Sequence, residues 1–289
     1  MSGAGWQIDW LHGEVDEPLI QVHWYDDSTV ILRQSKRTSF EAPFLTLLLG
    51  SERALLLDTG ASKDRQRWPL RATVDTLLSD RPAGYELVVT HTHGHQDHTA
   101  GDAQFRGRPN TTVVSSDPEQ VRVFFGMDQW PTRATVYDLG DRPITLIPSP
   151  GHHRAAITFY DPVTRILFTG DSILPGRIYV SDADAYGATL DRLADFCASH
   201  PVEWLFGCHV EVARDGAEYP AGRILQPDEA PPQLPVDHLD RVRDMFARTR
   251  GVRGVHRRDG IVIYNQPRLR DMAALQHSPA SGTVSAAER

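Results

Sequence analysis

The stretch Glu86-Leu87-Val88-Val89-Thr90-His91-Thr92-His93-Gly94-His95-Gln96-Asp97-His98 decides the reading of this chain. Glu86–Thr90 is a short apolar run rich in β-branched residues, the pattern of a buried strand. His93, His95, Asp97 and His98 fall within six residues directly past its end. Neutral imidazole and carboxylate are the ligands that a borderline divalent metal prefers. In a continuing strand, positions 93, 95 and 97 would face one side and 98 the other. A turn across Gly94 to Asp97 would aim both groups at a shared cleft. The run holds more ligand atoms than one metal uses, which points to two ions. The competing reading is a surface histidine cluster, and the position straight after a buried strand argues against it.

Three further segments repeat the arrangement. Ser149-Pro150-Gly151-His152, Phe168-Thr169-Gly170-Asp171 and Phe206-Gly207-Cys208-His209 each put a ligand-type residue at an expected strand end. Each is weak alone, because a lone His or Asp at a strand end is more often structural. Four such segments in one chain form a strong signal.

Bulk properties narrow the classes. The chain has 289 residues, enough for a sizeable core, with 40% hydrophobic and 24% charged residues,. Its net charge of -8 supplies no electrostatic footprint for nucleic acid or an anionic membrane,. Two cysteines, Cys197 and Cys208, imply no disulfide framework and suit a reducing compartment,. The opening residues lack a basic segment followed by an apolar run, and no apolar stretch is long enough for a membrane span. The expectation is a cytoplasmic protein acting on a small molecule. Oligomeric state leaves no mark on the sequence.

The rest of the chain alternates β-like and helical patterns. Strands are expected at Thr29–Arg33, Phe44–Leu49 and Ala54–Leu57, the last two joined through Gly50-Ser51-Glu52-Arg53,. Further strands are expected at Thr112–Ser115, Thr135–Leu139, Ile144–Ile147, Ala156–Tyr160, Ile166–Thr169, Trp204–Phe206 and Gly260–Tyr264. Helical spacing marks Trp68–Leu78, Pro118–Phe125 with Asp117 as N-cap, Asp184–Ser199 and Val236–Thr249,. Residues 1–28 are expected as an N-terminal extension packed on the domain, with Trp6, Trp10 and Trp24. The metal-binding domain is expected over 29–226 and a C-terminal helical extension over 227–277. The small, polar tail 278–289 is expected to be disordered. Strands with interspersed helices in each half suit two sheets covered by helices, an α/β (α+β) fold.

The pattern T-H-x-H-x-D-H, then P-G-H, then G-D, then G-x-H, resembles the metallo-β-lactamase-fold hydrolase superfamily over about residues 29 to 210. The resemblance implies a four-layer αββα sandwich with two divalent metal ions at the sheet edges: zinc, with iron or manganese as alternatives. Carried over residue by residue, it implies that His93, His95 and His152 hold the first ion. Asp97, His98 and His209 would hold the second, and Asp171 would bridge them. Asp58, in a Leu57-Asp58-Thr59-Gly60 turn similar to the family's, would brace the ligand loop. The implied chemistry is hydrolysis by a metal-bridging hydroxide that attacks an ester, thioester or lactone carbonyl. Asp97 would orient the water and shuttle its proton. His91 is expected behind the ligands, His153 exposed, and Cys208 a small core residue.

Departures from parts of the superfamily narrow the substrate. Asp171 stands where the true β-lactamases lack a bridging aspartate, so β-lactam hydrolysis is at most a promiscuous activity. Asp171 and His209 are too close for the inserted domain of the nucleases. The glutamate of the oxygen-reducing diiron members is absent, because His95 stands in its place. An intact second site argues against the single-iron persulfide dioxygenases. The stretch from Phe168 to Arg177 is similar to that of hydroxyacylglutathione hydrolases, but their glutathione-binding pattern is not found. Lactonases often carry a tyrosine three residues after the bridging aspartate, where this chain has Leu174, although Tyr179 is near. Thioesterase and lactonase both stay open. Arg177 and Tyr179 are expected to contact substrate, and Phe124, Phe125, Trp130 and the N-terminal tryptophans to form an apolar wall. A metal-binding scaffold without catalysis is the alternative of another class, and the filled ligand positions weigh against it.

Overall fold

Every residue of Thr29–Gln34 and Phe44–Leu49 is buried. Strands apolar on both faces must be covered on both faces, and they sit at the centre of a layered structure. A computed structural model describes residues 5–268 and residue 271. The expected disordered tail, 278–289, lies outside the described residues.

The first sheet has six strands in sequence order: β1 (Ile20–Asp26), β2 (Thr29–Gln34), β3 (Phe44–Leu49), β4 (Arg53–Leu57), β5 (Glu86–Thr90) and β6 (Thr111–Val113). The pairs from β1 to β4 are antiparallel, whereas β4, β5 and β6 run parallel. Helix α1 (Leu70–Leu77) makes the crossover to β5, and the short α2 (Gln96–Thr99) opens the chain beyond it. Helix α3 (Pro118–Phe125) then leads into the second half. Asp117 caps it by accepting from the amides of Glu119 and Gln120, and Gly126 ends it in the left-handed region at φ 64°,.

The second sheet contains β7 (Thr135–Asp138), β8 (Pro143–Pro148), β9 (Ile157–Asp161) and β10 (Ile166–Gly170). After β11 (Arg177–Val180) and α4 (Ala183–Ser199), β12 (Trp204–Gly207) and β13 (Gln233–Pro235) complete it in the order β13-β12-β10-β9-β8-β7. Helix α5 (Asp237–Thr249) follows. Strands β14 (Gly254–Arg258) and β15 (Ile261–Asn265) join β11 in a third sheet, with β11 and β15 parallel.

Three apolar clusters define the layers. Ile31, Leu55 and Val88 of the first sheet meet Leu146, Phe159 and Phe168 of the second. Leu70, Val74 and Trp68 cover the outer face of the first sheet. Leu190 and Leu193 of α4 and Val242 and Phe246 of α5 cover the second. The result is the expected αββα sandwich. A buried ion pair helps bridge its sheets. Arg142, between β7 and β8, pairs with Asp161 at 2.6 Å and also donates to the carbonyls of Ser28 and Leu49.

The structure differs from the sequence reading in four places. Strand β1 lies inside the segment read as an extension and pairs along β2. The described part of 227–277 holds three strands besides α5, because β14 and β15 find β11 as a partner. The expected strand at 112–115 is shorter and starts one residue earlier. Trp6 and Trp10 do not wall a cleft beside the histidines: Trp6 stacks on Phe206 and Trp10 packs edge-on against Phe44, closing one end of the core.

Candidate metal centre

Strands β4, β5, β10 and β12 end on the same rim of the sandwich, and the ligand-type residues lie just past those ends. Parallel pairing brings the ends of β4 and β5 together in one sheet and those of β10 and β12 together in the other, because parallel neighbours finish at the same edge,. Gly151 supplies the remaining turn. Its φ of 143° and the backbone of Tyr186, against which any Cβ would clash at 2.5 Å, explain why glycine precedes His152,.

Besides the set Asp58, His98 and Cys208, two groups of donor atoms result. In the first, His93 Nε2 and His95 Nδ1 are 2.9 Å apart, and His152 Nε2 is 3.2 Å and 3.1 Å from them. In the second, Asp97 Oδ2 lies 3.4 Å from His98 Nε2 and 3.3 Å from His209 Nε2, and the two imidazole nitrogens are 3.3 Å apart. Asp171 stands between the groups. Its Oδ2 is 3.8 Å from His93, 3.7 Å from His152 and 3.6 Å from His98, and its Oδ1 is 3.6 Å from His209.

Hydrogen bonds on the far side of the rings orient the lone pairs. His152 Nδ1 donates to the carbonyl of Tyr179, and His209 Nδ1 to that of Glu41. His98 Nδ1 donates to Asp58 Oδ2 at 3.0 Å. With Nδ1 so engaged, each Nε2 faces inward, where a bound cation would displace any proton it carries. Asp58 also accepts from the Thr92 amide and hydroxyl and from the Cys208 thiol, so it fixes the strand end that carries the run. Its own backbone is left-handed, at φ 68°.

Inward lone pairs at these spacings fit divalent ions. Tetrahedral zinc with bonds of 2.0–2.1 Å separates its ligand atoms by roughly 3.3 Å. Asp171 Oδ1 is buried without a hydrogen-bond partner, which a carboxylate tolerates poorly unless a cation meets it,. Burial opposes the charge on Asp97 and Asp171, but His209 and His98 outweigh it and hold both carboxyls well below the usual range. Burial likewise opposes charge on His209, yet Asp171 and Asp97 push its pKa up to about 9. His93 and His95 are held neutral by burial and by neighbouring rings. His95 is the exposed member, so the centre opens on its side.

Some residues differ from their expected surroundings. His91 Nε2 donates to Asp102 at 2.8 Å, and Asp102 also accepts the Thr59 hydroxyl, so it braces the 58–60 turn. His153, expected to be exposed, is half-buried with its ring 5.0 Å from that of His95. Arg177, expected to meet substrate, is buried and engaged by Glu211, Glu218 and the carbonyl of Tyr219. It therefore holds a wall together. Tyr179 supplies its carbonyl to His152, while its ring packs on Tyr264. The two backbone carbonyls that orient His152 and His209 carry no sequence signal. Glu41 could be found only from the fold.

A cavity of about 310 Å³ adjoins the centre, lined by Lys36, Glu41, Arg177, Tyr179, Glu211 and Gln226 among others. Among the described residues, no helix is long and apolar enough to cross a membrane.

Comparison with known proteins identifies the family. A hydroxyacylglutathione hydrolase of Ruegeria pomeroyi is 31% identical over 130 residues, 44% of this chain and 50% of that protein. The chain thus spans about half the length of that relative. The human acyl-coenzyme A thioesterase MBLAC2 is 30% identical over 200 residues, 56% of this chain and 71% of the relative. A metallo-beta-lactamase from Pontibacter korlensis shares the fold at a TM-score of 0.53 and 17% identity, covering 79% of this chain and 99% of that one. Residues 41–209 match the metallo-beta-lactamase superfamily as a family, and the chain belongs to it.

Proposed function

We propose that this protein is a hydrolase with two metal ions, zinc in the first instance, that cleaves an ester, thioester or lactone of a small molecule. The observation that carries the reading is the pair of three-donor groups with Asp171, its Oδ1 buried and unpartnered, set between them. His93, His95 and His152 would hold one ion, and Asp97, His98 and His209 the other. Such ions supply an activated water and a Lewis acid for the carbonyl oxygen.

The residues themselves do the positioning. Asp97 lies at the open rim, half-buried and ionised, where it can accept a hydrogen bond from the attacking water and orient it,. Asp58, Tyr179 and Glu41 keep His98, His152 and His209 in the required tautomer. No serine or cysteine nucleophile is needed. The Cys208 thiol is buried, and burial first and Asp58 second raise its pKa, which leaves it inert,.

Thioester hydrolysis is favoured over lactone hydrolysis by the names of the two relatives that match in sequence. The test is metal analysis combined with a panel of ester, thioester and lactone substrates. Two ions per chain and turnover of at least one class are expected, with Asp171→Ala losing both the second ion and hydrolysis. Full activity in that variant would overturn the dinuclear reading. Two ions without turnover on any class would favour a non-catalytic metal-binding protein.

A further inference from the structure

The cavity beside the centre is lined by two residues that orient its ligands. Glu41, whose carbonyl holds His209, and Tyr179, whose carbonyl holds His152, both line it. Four charged side chains face it: Lys36, Glu41, Arg177 and Glu211. Three of them are engaged with partners. The Lys36 ammonium lies 3.1 Å from Glu229, which it shares with Arg33. Arg177 holds Glu211 at 2.9 Å and Glu218 at 3.1 Å. The Glu41 carboxylate has no ion pair or hydrogen bond among the described residues, and it is half-buried.

The position of Glu41 is fixed. It sits in the turn between β2 and β3, followed by Ala42 in the left-handed region at φ 40°. The turn is tied to the metal rim by the Phe44 amide, which donates to the Cys208 carbonyl at 2.8 Å. Gln226, nearly fully buried, lines the same cavity with its Oε1 unpartnered, while its amide nitrogen donates to the Arg223 carbonyl. The amide oxygen is itself enclosed, so the unpartnered group open to the cavity is the Glu41 carboxylate, an acceptor,.

Resting on the hydrolase reading for the location of the reaction, we infer that Glu41 sets the charge preference of this cavity. The cavity takes the part of the substrate that carries a cationic or N–H-donating group and disfavours an anionic one. An anion would meet an unpaired carboxylate in a confined space. An ammonium or amide N–H would pair with it. One charge at short range across a partly wet wall changes affinity by about tenfold.

The test uses the zinc-loaded full chain and three probes of similar shape: choline, neutral 3,3-dimethylbutan-1-ol and anionic 3,3-dimethylbutyrate. Binding is read by ligand-observed NMR. Turnover is read on the matching thioacetates, acetylthiocholine among them. The expected order is cation, then neutral, then anion. Glu41→Gln should flatten the cation-to-anion ratio by about tenfold, and Glu41→Lys should invert it. Metal content per chain, measured alongside, separates this effect from loss of the centre, and the wild-type order stands as a test even if a variant loses its ions. Equal binding of the three probes, which a protonated Glu41 would give, overturns the inference, as does tightest binding of the anion. Absence of turnover on all three thioacetates counts against the hydrolase reading, whereas the binding order decides the role of Glu41.

Discussion

Asp58 accepts the Nδ1 hydrogen of His98 at 3.0 Å while both residues are fully buried, so the orientation of one ligand depends on a residue forty positions earlier. Asp58→Asn keeps the shape but offers only one acceptor oxygen where three donors from Thr92 and His98 now meet. Affinity for the ion held by His98 should fall about 10- to 100-fold, measured by competition with a chelator. Unchanged metal retention would show that the bond plays no part in holding the ring.

Gly151→Ala should disturb the other half of the centre. A Cβ would stand 2.5 Å from Tyr186, at a φ that L-residues rarely adopt. A stability loss of about 2–4 kcal/mol is expected in urea unfolding, together with weaker binding of the ion held by His152. A loss of stability with full metal content at low free zinc would confine the damage to packing.

The buried Arg142–Asp161 pair between the sheets is a sensitive point away from the centre. Arg142→Met leaves Asp161, fully buried, without its cation, and also frees the carbonyls of Ser28 and Leu49. Destabilisation of about 3–5 kcal/mol is expected by urea unfolding. A change under 1 kcal/mol would mean that neighbours or water take over the bonds.

His238 on α5 gives a pH dependence with a definite sign. Burial, and then Arg241, lower its pKa to about 4. The folded chain therefore stabilises the neutral ring. The stability tied to this is fully present above the unfolded pKa of about 6.5 and is lost as pH falls toward 4. Between pH 7 and 5 wild type should lose about 2 kcal/mol more than His238→Gln. Equal losses in the two proteins would assign the acid sensitivity to other groups.

The strands that carry the ligands were legible because each is a buried apolar run ending abruptly in a polar residue, as in Glu86–Thr90 before His91. The two-layer β architecture followed from the same runs. Strands β1, β11 and β14 escaped notice for a physical reason. They are partly exposed or short, and their sequences, such as Gly254-Val255-His256-Arg257-Arg258, carry no clean alternation. Their pairing is decided by distant partners, as β11 by β15. Arg177 was misread because a cation near a cleft looks available until the carboxylates of Glu211 and Glu218, remote in sequence, are seen to occupy it. The supports of His152 and His209 are backbone carbonyls, which any residue could provide.

The parallel pairing of β11 with β15 bears on how the chain is made. All seven donor residues emerge from the ribosome before β15 does. Until β15 arrives, β11 lacks its hydrogen-bonding neighbour, and the carbonyl of Tyr179 that aims His152 is held by nothing else in its own sheet. In a nascent chain the histidines therefore precede the strand that steadies the carbonyl aiming His152.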